Sequence, residues 1–298
     1  MSETSTPVQG GIIDTTALSN AQIREIDFVE SFSESVKKLV EALGVTRKIA
    51  KTAGSVLKTY KATGELLSGE VDEGEVIPLS KYTVEPASYQ EIVLKKWRKA
   101  TTAEAITEFG YNQAVAMTTE RMLKDVQKEI RGDFFDFLAS AGEEGGAGTK
   151  VSGTGLQGAL AKAWGNLQVL FEDDEIESVY FVNPLAIADY LASAQITVQN
   201  AFGMQYVENF MGLGTVILNS SVPASKVYAT AKNNIVLYYI AVNGADLGSA
   251  FSFTSDETGY IGIHSEADYS NLTHADTVMN GMVLFAERMD GIVVSTIA

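Results

Sequence analysis

An α+β fold is predicted for this chain by three features. From Asn112 to Ala141 the large apolar residues recur at three, four or seven positions: Val115, Met122, Val126, Ile130 and Phe137, with a second row at Leu123, Phe134 and Leu138. That is the period of a single helix with a buried stripe, a rod of roughly 45 Å. β-rich runs are clustered later, at Ser178–Val182, Thr215–Leu218, Lys226–Thr230, Ile235–Ala241, Gly259–His264, Gly281–Glu287 and Ile292–Ile297. Between them lies Gly142–Gly158, a glycine-rich connector that reads as a lobe boundary.

The ends of the long helix are marked chemically. Asn112 can cap its first turn, and Gly142 can take a left-handed stop. Its apolar stripe should face the C-terminal sheet, leaving Glu120, Lys124, Lys128 and Arg131 on an outer face. The final strands must pair with something earlier, and the lobe built on this helix is the part still lacking a sheet.

Upstream, residues 1 to about 20 are rich in Ser, Thr and Gly and have little to bury. Ala21–Leu43 turns helical through Ile23, Ile26, Val29, Val36, Leu39 and Val40, and Gly44 ends it. Thr63–Lys99 reads as a long hairpin with an irregular acidic tip, Gly69 to Glu75. Glu70, Asp72, Glu73 and Glu75 charge the tip, while Lys95, Lys96, Arg98 and Lys99 surround Trp97 on the expected return arm. A protrusion so strongly dipolar suits contact with a neighbouring molecule. Downstream, Leu156–Phe171 and a segment from Pro184 to Leu191 read as helices of a mixed middle lobe.

Composition narrows the function classes. With 22 Lys plus Arg against 38 Asp plus Glu, the net charge of −16 disfavours wrapping of nucleic acid by the average surface. There is no cysteine, so disulfide staples, thiolate catalysis and Cys-ligated zinc are excluded. The longest apolar run, Ile235–Val242, is too short to span a bilayer, and Met1–Asn20 lacks the pattern of a secretory signal. A soluble intracellular protein is the expectation, with the sequons at Asn219 and Asn271 fortuitous.

Candidate chemistry is sparse. Gly153-Thr154-Gly155-Leu156-Gln157-Gly158 matches GxGxxG and opens a helix, but no buried strand is evident before it, so it reads as linker rather than nucleotide site. Glu172, Asp173, Asp174 and Glu175 point different ways on a polar turn. His264, Glu266 and Asp268, with His274 and Asp276 beyond a turn, form the only His–carboxylate constellation resembling a metal site. Surface strands are the preferred reading there, and no cofactor is expected. A chain of this size without a sharp site reads better as a subunit than as a catalyst.

The order of elements, with Glu73-Gly74-Glu75-Val76-Ile77-Pro78 in the hairpin, Gly214-Thr215-Val216-Ile217-Leu218 through Val222-Pro223-Ala224, Val227-Tyr228-Ala229-Thr230, and Leu284-Phe285-Ala286-Glu287-Arg288-Met289-Asp290-Gly291, resembles the major capsid protein of tailed bacteriophages. The resemblance implies the Hong Kong 97-type capsid fold, shared with encapsulins and the herpesvirus capsid floor. It implies an N-terminal arm over 1–30, a peripheral domain from 31–62, 100–150 and 253–298, an extended loop over 63–99, and an axial domain over 151–252. It further implies hexamers and pentamers closing into an icosahedral shell around double-stranded DNA, assembled in the host cytoplasm.

The expected partners are other copies of the chain, a separate scaffolding protein, portal and head-completion proteins, and DNA held by weak non-specific contact, with no membrane. Some family members cross-link a loop lysine to a neighbour's asparagine; Lys81 lies in the loop here, but no covalent link is expected. Across subunits, the acidic tip is expected to meet Lys37, Lys38, Arg47, Lys48 and Lys51. Two alternatives share parts of this reading: an encapsulin-like compartment, and a metal-dependent enzyme using the His264 and Glu266 region.

Overall fold

The computed structural model describes residues 20–65, 67, 70, 76–77, 79–143, 146, 148–171, 176–193 and 198–298. The arm before residue 20, the tip acids Asp72, Glu73 and Glu75, and the run Glu172–Glu175 lie outside the described residues.

In chain order the elements are α1 (Asn20–Leu43), β1 (Arg47–Ala50), β2 (Val56–Glu65), β3 (Lys81–Glu91), β4 (Lys95–Thr102) and α2 (Ala103–Phe109), then a π-helical turn (Asn112–Ala116) leading into α3 (Met117–Ala141). There follow β5 (Thr149–Gly153), α4 (Gly155–Leu170), β6 (Ser178–Val182), α5 (Pro184–Ser193), β7 (Gln199–Ala201), β8 (Met204–Phe210), β9 (Gly214–Leu218) and β10 (Lys226–Ala231). The chain ends with β11 (Ile235–Tyr239), α6 (Ala245–Ala250), β12 (Ile261–Asp268), β13 (Thr273–Asn280), β14 (Val283–Ala286) and β15 (Ile292–Ile297). Two compact units emerge, one from residues up to 33, 95–123 and 242–280, the other from 34–94, 124–241 and 281–298.

The second unit is organised on a seven-stranded sheet of order β5-β15-β10-β6-β9-β8-β7. Central β6 is buried along its whole length, as an unbroken apolar run requires when both faces are covered. On one face Tyr180 and Val182 meet Leu156, Ala159, Leu160, Ala163 and Leu167 of α4. On the other, Phe181 stands edge-on to Phe134 and Phe135 of α3, with ring centroids 5.5 and 5.4 Å apart. A smaller sheet, β1-β11-β14, and the β2–β3 hairpin complete this unit.

Several expectations are corrected. β15 does not complete a sheet of its own on the long helix. It pairs antiparallel with β10 and parallel with β5, because its alternating Val293 joins the core beneath α4. Gly142 is not left-handed; its lack of a side chain admits Val294, whose methyls would lie 3.0 and 3.1 Å from a Cβ. Gly44, by contrast, takes φ 65° as expected and ends α1. On the long helix the deeper row is Val115, Leu123, Val126, Ile130, Phe134 and Leu138, with Met122 and Phe137 only half-buried. Arg131 leaves the outer face and is half-buried.

The hairpin is also redrawn. Its arms are β2 and β3, and β4 is not the return arm but the edge strand of the first unit's sheet, β12-β13-β4. Trp97 therefore pairs with Val278 rather than with the hairpin. Gly142–Gly158 is likewise no free linker: β5 precedes the GxGxxG motif. A Cβ on Gly153 would lie 2.3 Å from the backbone of Gly158 and Ala159, so the glycines permit helix-to-strand contact. The amide of Gly155 is taken by the Ala298 carbonyl at 3.0 Å.

Truncation of Phe181 to alanine should destabilise the chain by about 3–5 kcal/mol through loss of both aromatic contacts and the cavity left behind. Urea denaturation of wild type and Phe181→Ala, compared by midpoint at equal slope, measures it.

Candidate inter-subunit surface

The β2–β3 hairpin presents apolar side chains that the described residues of its unit leave exposed. Val76, Ile77 and Leu79 are 91%, 76% and 89% exposed, and Tyr82 and Val84 are also exposed. Large apolar groups bared together on one protrusion mark an interaction surface, whereas a single exposed leucine would not. Glu70, the one described acid of the tip, is also exposed.

The basic residues are distributed over three elements. Lys37 and Lys38 are exposed on α1, Arg47 and Lys48 on β1, and Lys51 just beyond it. Arg47 pairs with Glu287, which the Tyr238 hydroxyl also approaches at 3.4 Å, so Arg47 is partly satisfied within its own unit. On β4, strand alternation exposes Lys96 and Arg98 and turns Lys95, Trp97 and Lys99 inward. Arg98 pairs with Glu266 at 3.1 Å.

Lys99 is committed to an internal polar cluster. Its ammonium lies 3.1 Å from Asp276 Oδ2 and donates to the Val115 carbonyl at 3.0 Å and to Thr118. Asp276, 1% exposed, also accepts from Thr119 at 2.9 Å and from Ser265 at 2.7 Å, and faces His274 Nε2 at 3.2 Å. Arg24 approaches the same Nε2 at 3.1 Å and stacks over Tyr111 at 4.9 Å. Burial pushes the Asp276 carboxyl upward, but the contacts from His274 and Ser265 and the Lys99 charge outweigh it and hold it well below the usual carboxylate range. Burial pulls the Lys99 ammonium down, with Asp276 opposing.

This cluster is structural, and it dismantles the expected His–carboxylate constellation. In the β12–β13 register His264 faces Thr277 and Glu266 faces Ala275, while His274 faces Ala267 and Asp276 faces Ser265. Alternation therefore places His264, Glu266 and Asp268 on one face of the sheet and His274 and Asp276 on the other. No common ligand set forms from them.

Nor was Glu25 visible as a core residue. It is buried in α1 and accepts from the Ser265 amide and from Thr254 Oγ1, at the position where the apolar reading of the helix placed Ile23 and Ile26, both of which are exposed. Its signal was spacing alone: Glu25, Phe28, Phe32, Val36, Leu39 and Leu43 follow the helical period.

No family model matches the sequence, and no curated protein matches it. Solved structures do. A chain of the cyanophage A-1(L) capsid asymmetric unit superposes with TM-score 0.60 at 13% identity, covering 87% of this chain and 92% of its own. The capsid of the native GTA particle gives 0.54 at 10% identity over 88% and 90%, and the satellite phage P4 procapsid, which includes the size determination protein, gives 0.50 at 11% over 91% and 89%.

Replacing Asp276 with asparagine leaves Lys99 and its hydrogen-bond donors facing a neutral group, an expected loss of about 3 kcal/mol at neutral pH. Because the folded carboxyl titrates below its unfolded value, its contribution is complete above about pH 4 and fades as pH falls further. Urea midpoints for wild type and Asp276→Asn should thus lie far apart at neutral pH and converge in acid. Across nearly their whole length, the matched structures and this one share a single architecture, and this chain has the Hong Kong 97-type capsid fold.

Proposed function

We propose that this chain is the major capsid protein of a tailed phage, a structural subunit without catalytic activity that assembles with its own copies into hexamers and pentamers of an icosahedral shell around double-stranded DNA. The observation that carries this reading is the likeness to the cyanophage capsid chain over 87% of the residues. Two properties of the chain support it. The hairpin bares Val76, Ile77 and Leu79, which need a cover from outside the subunit. The net charge of −16 keeps attraction between shell wall and packaged DNA weak, as genome release requires.

In this reading residues 1–30 form the arm, 63–99 the extended loop except for Lys95–Lys99 in β4, 151–252 the axial domain, and 31–62, 100–150 and 253–298 the peripheral domain, with Ile292–Ile297 given over to the axial sheet. The loop reaches an adjacent subunit, its apolar flank covered there and its acids Glu70, Asp72, Glu73 and Glu75 set against Lys37, Lys38, Arg47, Lys48 and Lys51. Lys96 and Arg98 are exposed toward a neighbour, Arg98 while paired with Glu266, and Lys95 and Lys99 are turned inward. Scaffolding, portal and head-completion proteins would be met at other surfaces, and the particle would assemble in the host cytoplasm.

Native mass by light scattering and electron microscopy tests the assembly: closed particles support it, and a monomer under all conditions overturns it. Reversing charge in Glu73→Lys with Glu75→Lys should reduce closed particles several-fold while leaving the subunit's urea midpoint unchanged, since the proposed contact forms between subunits and not within one. Particle yield equal to wild type would refute the acidic contact.

A further inference from the structure

Ala201–Met204 turns the β7–β8 hairpin through two consecutive left-handed residues, Phe202 at φ 49° and Gly203 at φ 70°. Glycine adopts that conformation freely, whereas phenylalanine requires neighbours that hold it there. Arg131 of α3 provides the hold. Its Nη1 donates to the Phe202 carbonyl, and its guanidinium lies 5.9 Å from the centre of the Phe202 ring. A Cβ on Gly203 would come within 2.7 Å of Nη1, so the glycine also makes room for the cation.

This arrangement leaves a half-buried guanidinium with a carbonyl and a ring for company and no carboxylate among the described residues. Burial alone pulls its pKa below the usual value. A desolvated cation beside open space is a site for an anion. The space is present: a cavity of about 360 Å³ is lined by Arg131, by Lys128 one turn earlier on α3, by Asn200 and Gly203 of the hairpin, and by Ser220 and Ser221. Among the described residues no Asp or Glu lines it, in a chain where acids outnumber bases 38 to 22.

We propose that this cavity is a binding site for a phosphate-type oxyanion, gripped by the free edge of the Arg131 fork, the Lys128 ammonium and the hydroxyls of Ser220 and Ser221. The donor-bearing residues come from different elements around one cavity, which suits the several acceptor oxygens of a tetrahedral anion better than the two of a carboxylate. The site is independent of whether the chain forms a shell.

Isothermal titration of the full chain with inorganic phosphate, against chloride at matched ionic strength, tests it. A second arm uses a dinucleotide, whose internal phosphodiester distinguishes a site open to nucleic-acid backbone from one that takes free phosphate only. Saturable binding in either arm, weakened at least about threefold by Lys128→Gln and unaffected by Lys162→Gln on α4, is the expected result. Lys128 is exposed, so its variant should fold normally and the loss should be local. No saturable binding in either arm, or equal binding by Lys128→Gln, would leave Arg131 as a clamp on the strained turn and overturn the site.

Discussion

The two-sided burial of β6 is the constraint from which the larger unit follows. A strand with five consecutive buried residues needs a layer on each face, and it obtains α4 through Tyr180 and Val182 and α3 through Phe181. Neighbouring strands continue the same two-layered sheet, β9 parallel on one side and β10 antiparallel on the other. The chain's last strand is drawn in by the same demand: Val293 is apolar where the sheet needs core, and Val294 fits where Gly142 has no side chain. Burial, rather than proximity in sequence, selects its partners.

That selection explains what could be read from residues and what could not. Elements with a strong period were legible nearly to the residue: α1, the long helix, β6 and β15 all lie where spacing and apolar runs put them. Pairing was not, because the alternation in Lys95–Thr102 identifies a strand equally well whether it returns along a hairpin or edges another sheet. β4 took the second course since Lys99 has a buried carboxylate to meet there. The GxGxxG motif misled in a related way. Its glycines answer a steric need between β5 and α4, and a pattern of missing side chains does not say what approaches.

Polar groups were the least legible part of the core. Glu25, Asp276 and Arg131 occupy positions whose spacing is that of buried residues but whose identity argues for solvent. Each is retained inside by partners distant in sequence: Ser265 and Thr254 for Glu25, Lys99 and Thr119 for Asp276, Phe202 for Arg131. Nothing local to the sequence announces such partners, so a burial rule based on hydropathy assigns these residues to the wrong face. Period is the better guide than polarity wherever a satisfied network is available.

The surface follows the opposite logic. Within the first unit Glu25 and Asp276 are drawn inward and satisfied, yet on the β2–β3 hairpin Val76, Ile77 and Leu79 are left in water. A monomer gains nothing by that exposure and risks aggregation through it. In the proposed shell the cover would come from a second copy of the chain, in similar surroundings around each hexamer and pentamer. Each such contact can be weak. A subunit held by several neighbours at once is retained by their combined effect, while a contact made alone remains reversible enough to correct errors of assembly.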